Sequence, residues 1–190
     1  MKTLIFSFLS LVVLSGCAFM PQQANLRPAV SVLASSEGKN VTVAVRVIDE
    51  RPSKSLGRRG TGLAPAAEIT AAQDVAMVVQ QQVVDGLRKK GFNPVDYNEH
   101  NNTRLTVEIR LLEYSTSVGF WTGGVHVKGA LKAIAVRNGE SYERMYRSEK
   151  EERIVVVPTA ETNEEWINAA LSDMLSQLFE DTGLFKFLSS

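Results

Sequence analysis

Hydrophobic residues in this chain change their spacing several times, and each change marks an element. From Val41 to Ile48 the run Val-Thr-Val-Ala-Val-Arg-Val-Ile alternates and is β-branched, which predicts a strand with one buried face. A polar stretch follows from Asp49 to Ala67, broken by Pro52, Gly57, Gly60 and Gly62, and reads as a long loop. The period then turns helical, with Val75, Val78, Val79, Val83 and Leu87 on one face. Thr70 to Gln73 has capping-box spacing ahead of that face, and Lys89-Lys90-Gly91 supplies a cationic last turn and a glycine stop.

Phe92 to Tyr97 returns as a short strand. Thr103 to Tyr114 alternates, with Leu105, Val107, Ile109 and Leu111 on one side and Thr106, Glu108 and Arg110 on the other. Val125, Val127, Leu131 and Ala133 mark a further half-buried strand. Asn138-Gly139 is a two-residue hairpin signal leading into a strand within Ser141 to Val157. A last helix opens at a second capping box, Thr162 to Glu165, carries Ile167, Ala170, Leu171, Met174, Leu175 and Leu178 on one face, and stops at Gly183. The order β-α-β-β-β-β-α predicts an α+β fold. Its expected form is a two-layer domain, a mostly antiparallel four- to five-stranded sheet with both helices on one face.

The first forty residues follow different rules. Met1-Lys2 is a charged start, Leu4 to Val13 is an apolar run, and Leu14-Ser15-Gly16-Cys17 closes it with small residues before the sole cysteine. The apolar run is short of the roughly 20 residues a membrane span needs. The Leu-Ser-Gly-Cys box resembles the consensus cut by lipoprotein signal peptidase. That resemblance implies removal of residues 1–16 and acylation of Cys17, which stable anchoring by several chains requires. Ala18 after the cysteine, in place of the aspartate that retains lipoproteins in the inner membrane, implies the outer membrane, facing the periplasm. Residues 17–40 hold Pro21, Pro28, Gln22-Gln23 and a Ser-Ser-Glu-Gly-Lys-Asn stretch. They read as a lipidated cysteine and a flexible tether, with an r.m.s. reach of roughly 25 Å, although Ala29 to Leu33 has the makings of a short edge strand. Residues 41–190 are then a single periplasmic domain.

Composition narrows the functional classes. Lys and Arg number 21 against 21 Asp and Glu, so no net charge draws the chain to nucleic acid. With Cys17 acylated there is no thiol for a disulfide or a thiolate metal site. No cofactor or metal is expected. His100 lies in an Asn-rich turn and His126 at a polar strand position, and neither sits beside a recognisable nucleophile motif. Trp166 falls at core-compatible helical spacing.

Two stretches carry candidate contacts. In the 51–62 loop, Arg51, Lys54, Arg58 and Arg59 stand among glycines, and arginine forks suit phosphate and carboxylate. The loop lacks the Gly-Lys-Ser/Thr of a P-loop, and its charges equally fit local pairing with Asp49 or plain solvation. Phe120-Trp121, before Gly123-Gly124, reads either as an aromatic anchor for a partner or lipid headgroup, or as a pair of rings folded back on the core.

Asp49-x-Arg51-Pro52, Ser55-Leu56-Gly57-x-Arg59, the helix end Gly86-Leu87-Arg88-Lys89-Lys90-Gly91-Phe92 and the ending Asp181-Thr182-Gly183 with Leu184 to Leu188 together resemble the YajG family of bacterial lipoproteins. The resemblance spans essentially all of the chain after Cys17. It implies an outer-membrane-anchored α+β domain and brings no catalytic residues. The functional expectation is a non-enzymatic interaction or accessory module in envelope assembly or maintenance, with an unknown envelope protein as partner. The alternative is a binding module for peptidoglycan or a lipopolysaccharide-type amphiphile.

Overall fold

A computed structural model describes residues 20–60, 66–118 and 123–190. Strands run at Gln22–Ala24 (β1), Thr42–Asp49 (β2), Gly57–Arg59 (β3), Ala67–Ala71 (β4), Asn93–Asp96 (β5), Thr103–Val118 (β6), Gly123–Arg137 (β7) and Glu140–Ile154 (β8). Helices run at Val75–Lys89 (α1), Ala160–Glu180 (α2) and Thr182–Ser189 (α3). The fold is α+β, but the sheet differs from expectation. It has eight strands among the described residues, in the order β1-β4-β3-β6-β2-β5, with β7 and then β8 on the other edge of β6. It is mixed. β2 is parallel to both β5 and β6, and β1 is parallel to β4, while β6-β7-β8 form an antiparallel ribbon. The expected four- to five-stranded, mostly antiparallel sheet is thereby corrected. Strands of three to five residues are too short to display an alternation, and a strand's partner is decided by contacts distant in sequence.

β6 organises the sheet. One edge pairs with β7 along its whole length, and the other meets β2 at residues 104–109 and β3 at Tyr114. Between those partners β6 is bulged, its register against β7 shifting between Ile109 and Leu111. A bulge reverses which side faces inward. Leu105, Val107 and Ile109 are buried before it, and Leu112 and Tyr114 after it. Leu111, expected on the inner face, is only half-buried for this reason.

Helix boundaries also moved. Thr70 and Ala71 belong to β4, and Asp74 caps α1 by accepting from the Met77 amide. Thr159, not Thr162, caps α2. At the far end of α1 the glycine stop holds. Gly91 has φ +83, and the amides of Gly91 and Phe92 return to the carbonyls of Arg88 and Leu87. α1 and α2 touch at Gly86, where an added Cβ would lie 2.1 Å from the Phe179 ring. Val79, Val83, Leu87, Leu171, Leu175 and the inner face of β6 share one core.

Residues 20–40 are docked rather than free, which corrects the flexible tether for those positions. After β1 the backbone lies along α2. The Asn25 amide donates to Glu164, that of Arg27 to Asn168 Oδ1 and that of Ala29 to Ser172 Oγ. The Ser35, Gly38 and Asn40 amides then donate to the Lys89, Lys90 and Gly91 carbonyls at the end of α1. Ala29 to Leu33 forms no strand. Ala24, Leu26 and Pro28 are buried in this strap.

Candidate functional site

The loop between β2 and β3 leaves the sheet where β6 is bulged and rejoins it at Gly57, whose φ of +139 and missing Cβ admit the Tyr114 carbonyl. The detour opens a cleft of about 560 Å³ lined by Arg51, Ser55, Arg58, Glu68, Leu111 and Glu113, among others. Arg51 is the loop's structural pin. Its Nε and Nη2 donate to the two carboxylate oxygens of Asp49 at 2.8 and 2.9 Å, and its side chain is only 3% exposed. Lys54, 69% exposed, adds a 2.9 Å ion pair to the same carboxylate. Burial alone would raise the Asp49 carboxyl. Hydrogen bonds from Arg51 and Lys54 outweigh it and hold the group at about 2. One nitrogen is left over: Arg51 Nη1 is buried with no hydrogen-bond acceptor.

The four cations do not converge on one anion site. Arg58 and Arg59 are neighbours on β3 and so point to opposite sides of the sheet. Arg58 is exposed at the cleft and donates to the Ala66 carbonyl at 3.0 Å. Arg59 is buried and donates to the Met20 carbonyl through Nη2 at 2.8 Å and Nε at 3.3 Å. Only Arg51 and Arg58 of the four line the cleft. Phe120 and Trp121 lie outside the described residues, as does Cys17.

Two polar centres escaped sequence reasoning. Asp181, 1% exposed at its side chain, joins the end of α2 to the start of α3. It accepts from the Tyr142 and Tyr146 hydroxyls, from Arg144 at 3.1 Å and from the amides of Gly183 and Leu184. Desolvation opposes its charge, yet these donors hold the carboxyl below its ordinary value, while burial pushes the Tyr146 phenol upward. Asp181-Thr182-Gly183, read as a helix end, is thus also a helix start. The second centre is a buried chain: Tyr114 OH donates to Asn163 Oδ1 at 2.7 Å, Asn163 Nδ2 to Gln22 Oε1, and Gln22 Nε2 to the Ala160 carbonyl. Burial pushes the Tyr114 phenol up to about 12, against the opposing field of Arg59. Neither centre presents a nucleophile beside a base.

His100 is exposed and bonds to Asn98, and His126 faces Ser117 at 3.4 Å. Trp166 packs partly buried against the core. Among the described residues no three His, Cys, Asp or Glu side chains gather as a metal site, and no helix is long and apolar enough to cross a membrane.

An α+β domain whose docked strap follows a Leu-Ser-Gly-Cys box in the sequence has the organisation of a lipoprotein. The family model described as an uncharacterized lipoprotein matches residues 28–189, and the chain belongs to that family. It is 20% identical over 189 residues to the uncharacterized lipoprotein YajG of Escherichia coli strain K12, covering 98% of this chain and 96% of that protein. The resemblance read from the motifs therefore stands. Among solved structures, a protein from Xanthomonas campestris matches with a TM-score of 0.47 and 15% identity, over 90% of this chain and 95% of that one. A minor lipoprotein from Acinetobacter baumannii matches at 0.43 and 8%, over 80% and 94%.

Proposed function

We propose that this protein is a non-enzymatic accessory module, held on the periplasmic side of the outer membrane by acylated Cys17 and acting through an envelope protein partner in envelope assembly or maintenance. The observation that carries this reading is the Leu14-Ser15-Gly16-Cys17 box heading a chain of a lipoprotein family. Ala18 supports the outer membrane as the destination. Labelled palmitate should enter the wild type and not a Cys17→Ala variant, and density-gradient fractions should place the protein with outer membrane. Crosslinking in intact cells should trap one defined protein, and that adduct should disappear with Cys17→Ala. Accumulation of unlabelled mature protein would sink the anchor, and inner-membrane fractionation would sink the sorting.

A second reading has its own support in Arg51 Nη1, a buried donor without an acceptor beside the β2–β3 cleft. A carboxylate or phosphate oxygen of peptidoglycan or a lipopolysaccharide-type amphiphile suits such a donor. Cosedimentation with purified sacculi, or binding of the amphiphile, that weakens with salt and with Arg58→Glu would favour this binder. Retention indifferent to both would dismiss it.

A further inference from the structure

We infer that the end of the domain bearing Met20, Ile154, Val155 and Val156 rests on the phospholipid headgroup layer of the leaflet that holds the anchor. This inference rests on the reading of Cys17 as the acylated residue. Its geometry begins with the strap. The Met20 carbonyl is held by Arg59, and the chain stays pinned onward through Gln22, Asn25, Leu26, Arg27 and Ala29. Only Ala18 and Phe19 separate Met20 from Cys17. Three Cα–Cα steps span at most about 11 Å, well short of the reach a free tether would allow. The Met20 end of the domain must therefore lie against the membrane.

Named contacts show what else lies at that end. Gln22 bonds to the Ala160 carbonyl, which places the first turn of α2, where the 155–159 connection ends, beside the strap. Thr116 donates to the Gly60 carbonyl next to Arg59, and Thr116 is in register with Val125, itself paired with Glu152, two residues before the end of β8. The last strand thus runs out at Ile154 at the same end of the sheet as the exit toward Cys17. Val155 and Val156 follow it, 85% and 78% exposed, and Met20 is 60% exposed. These three are half of the large hydrophobics exposed among the described residues, and they share the end from which the chain leaves for the bilayer.

The surrounding charge identifies the surface. Glu151, Glu152 and Glu161 are exposed at this end, and against them stand exposed Arg153 and Arg58 and the buried Arg59 that holds the Met20 carbonyl. A rim of mixed charge has no net pull toward anionic lipid, so the contact is apolar side chains entering a zwitterionic headgroup layer, and it should be insensitive to salt.

The test uses the full acylated protein reconstituted in phosphatidylcholine vesicles. Acylated Cys17 has no free thiol, so a cysteine introduced as Val155→Cys takes a fluorophore at one place. His100→Cys, before the opposite end of the ribbon, is the comparison. Lipid-borne quencher should reduce emission at position 155 several-fold more than at position 100, equally at low and high salt. Equal quenching at both positions, or none, would overturn the orientation. A label at 155 shielded from lipid-borne and aqueous quenchers alike would mean that protein covers the patch, which also overturns it. Mass analysis of the Cys17 peptide from the same sample separates the two readings. An unmodified cysteine removes the anchor itself, whereas an acylated one with an unquenched 155 label removes only this inference.

Discussion

Asp49 shows how a candidate ligand loop serves the fold first at its leading residues. Its carboxylate neutralises Arg51, which is nearly inaccessible, and takes a second contact from Lys54. Asp49→Asn should cost roughly 3 kcal/mol or more in urea unfolding, because it leaves a buried guanidinium without its counter-charge. The sign with pH follows. The folded carboxyl sits at about 2 and the ordinary value is 3.8. At about 1.4 kcal/mol per unit, the group contributes roughly 2 kcal/mol that is fully present above the unfolded value and is lost as pH falls from about 4 toward 2. Asp181, also lowered, acts in the same direction. Stability that stayed flat across that window in the wild type, or fell equally in Asp49→Asn, would remove Asp49 from this role. The pairing of Asp49 with Arg51 was one of two readings open in the sequence. The role of Asp181 was hidden, because its donors Tyr142, Arg144 and Tyr146 come from a strand some 35 or more positions earlier.

Secondary-structure elements were legible where their periodicity was long. The faces of α1 and α2 were visible in the spacing of valines and leucines, and Leu87 and Leu175 are both fully buried. Alanine at either should cost about 2–5 kcal/mol in chemical denaturation, and losses of only a few tenths at both would contradict their packing. The hairpin at Asn138-Gly139 was equally plain, with φ +49 and +87 in the turn. Hidden were β1, β3, β4, the bulge in β6 and the mixed pairing, because each depends on neighbours that local spacing does not encode. Gly86 illustrates the difference. In isolation Gly86→Ala in mid-helix would favour α1 by about 1 kcal/mol. Here the added methyl meets the Phe179 ring of α2, so the substitution should destabilise by roughly 1–3 kcal/mol, and a raised melting temperature would mean the two helices are not in close contact.

Across the molecule, the strap changes how the N-terminal segment must be understood. Its composition of prolines, glutamines and serines matched a tether because no periodicity marks an irregular backbone docked on a helix. The matching signals were on the other side: Asn168 and Ser172 on α2, and Gln73, whose side chains accept the strap's amides at positions 27, 29 and 26. Gln22 reaches 138 positions along the chain to Ala160, so the strap closes the fold only once α2 is in place. Removing residues 20–33 should therefore uncover the apolar sites filled by Ala24 and Leu26 and leave Asn163 without its Gln22 partner. The truncated domain should unfold at distinctly lower urea, by more than the 2–5 kcal/mol typical of truncating one buried leucine. Hydrogen exchange in the intact protein should protect the amides of Asn25, Leu26, Arg27 and Ala29. An unchanged midpoint with fast exchange at those four amides would restore the flexible tether. The domain could then stand clear of the bilayer, and the short link to Cys17 would no longer fix which end faces the membrane.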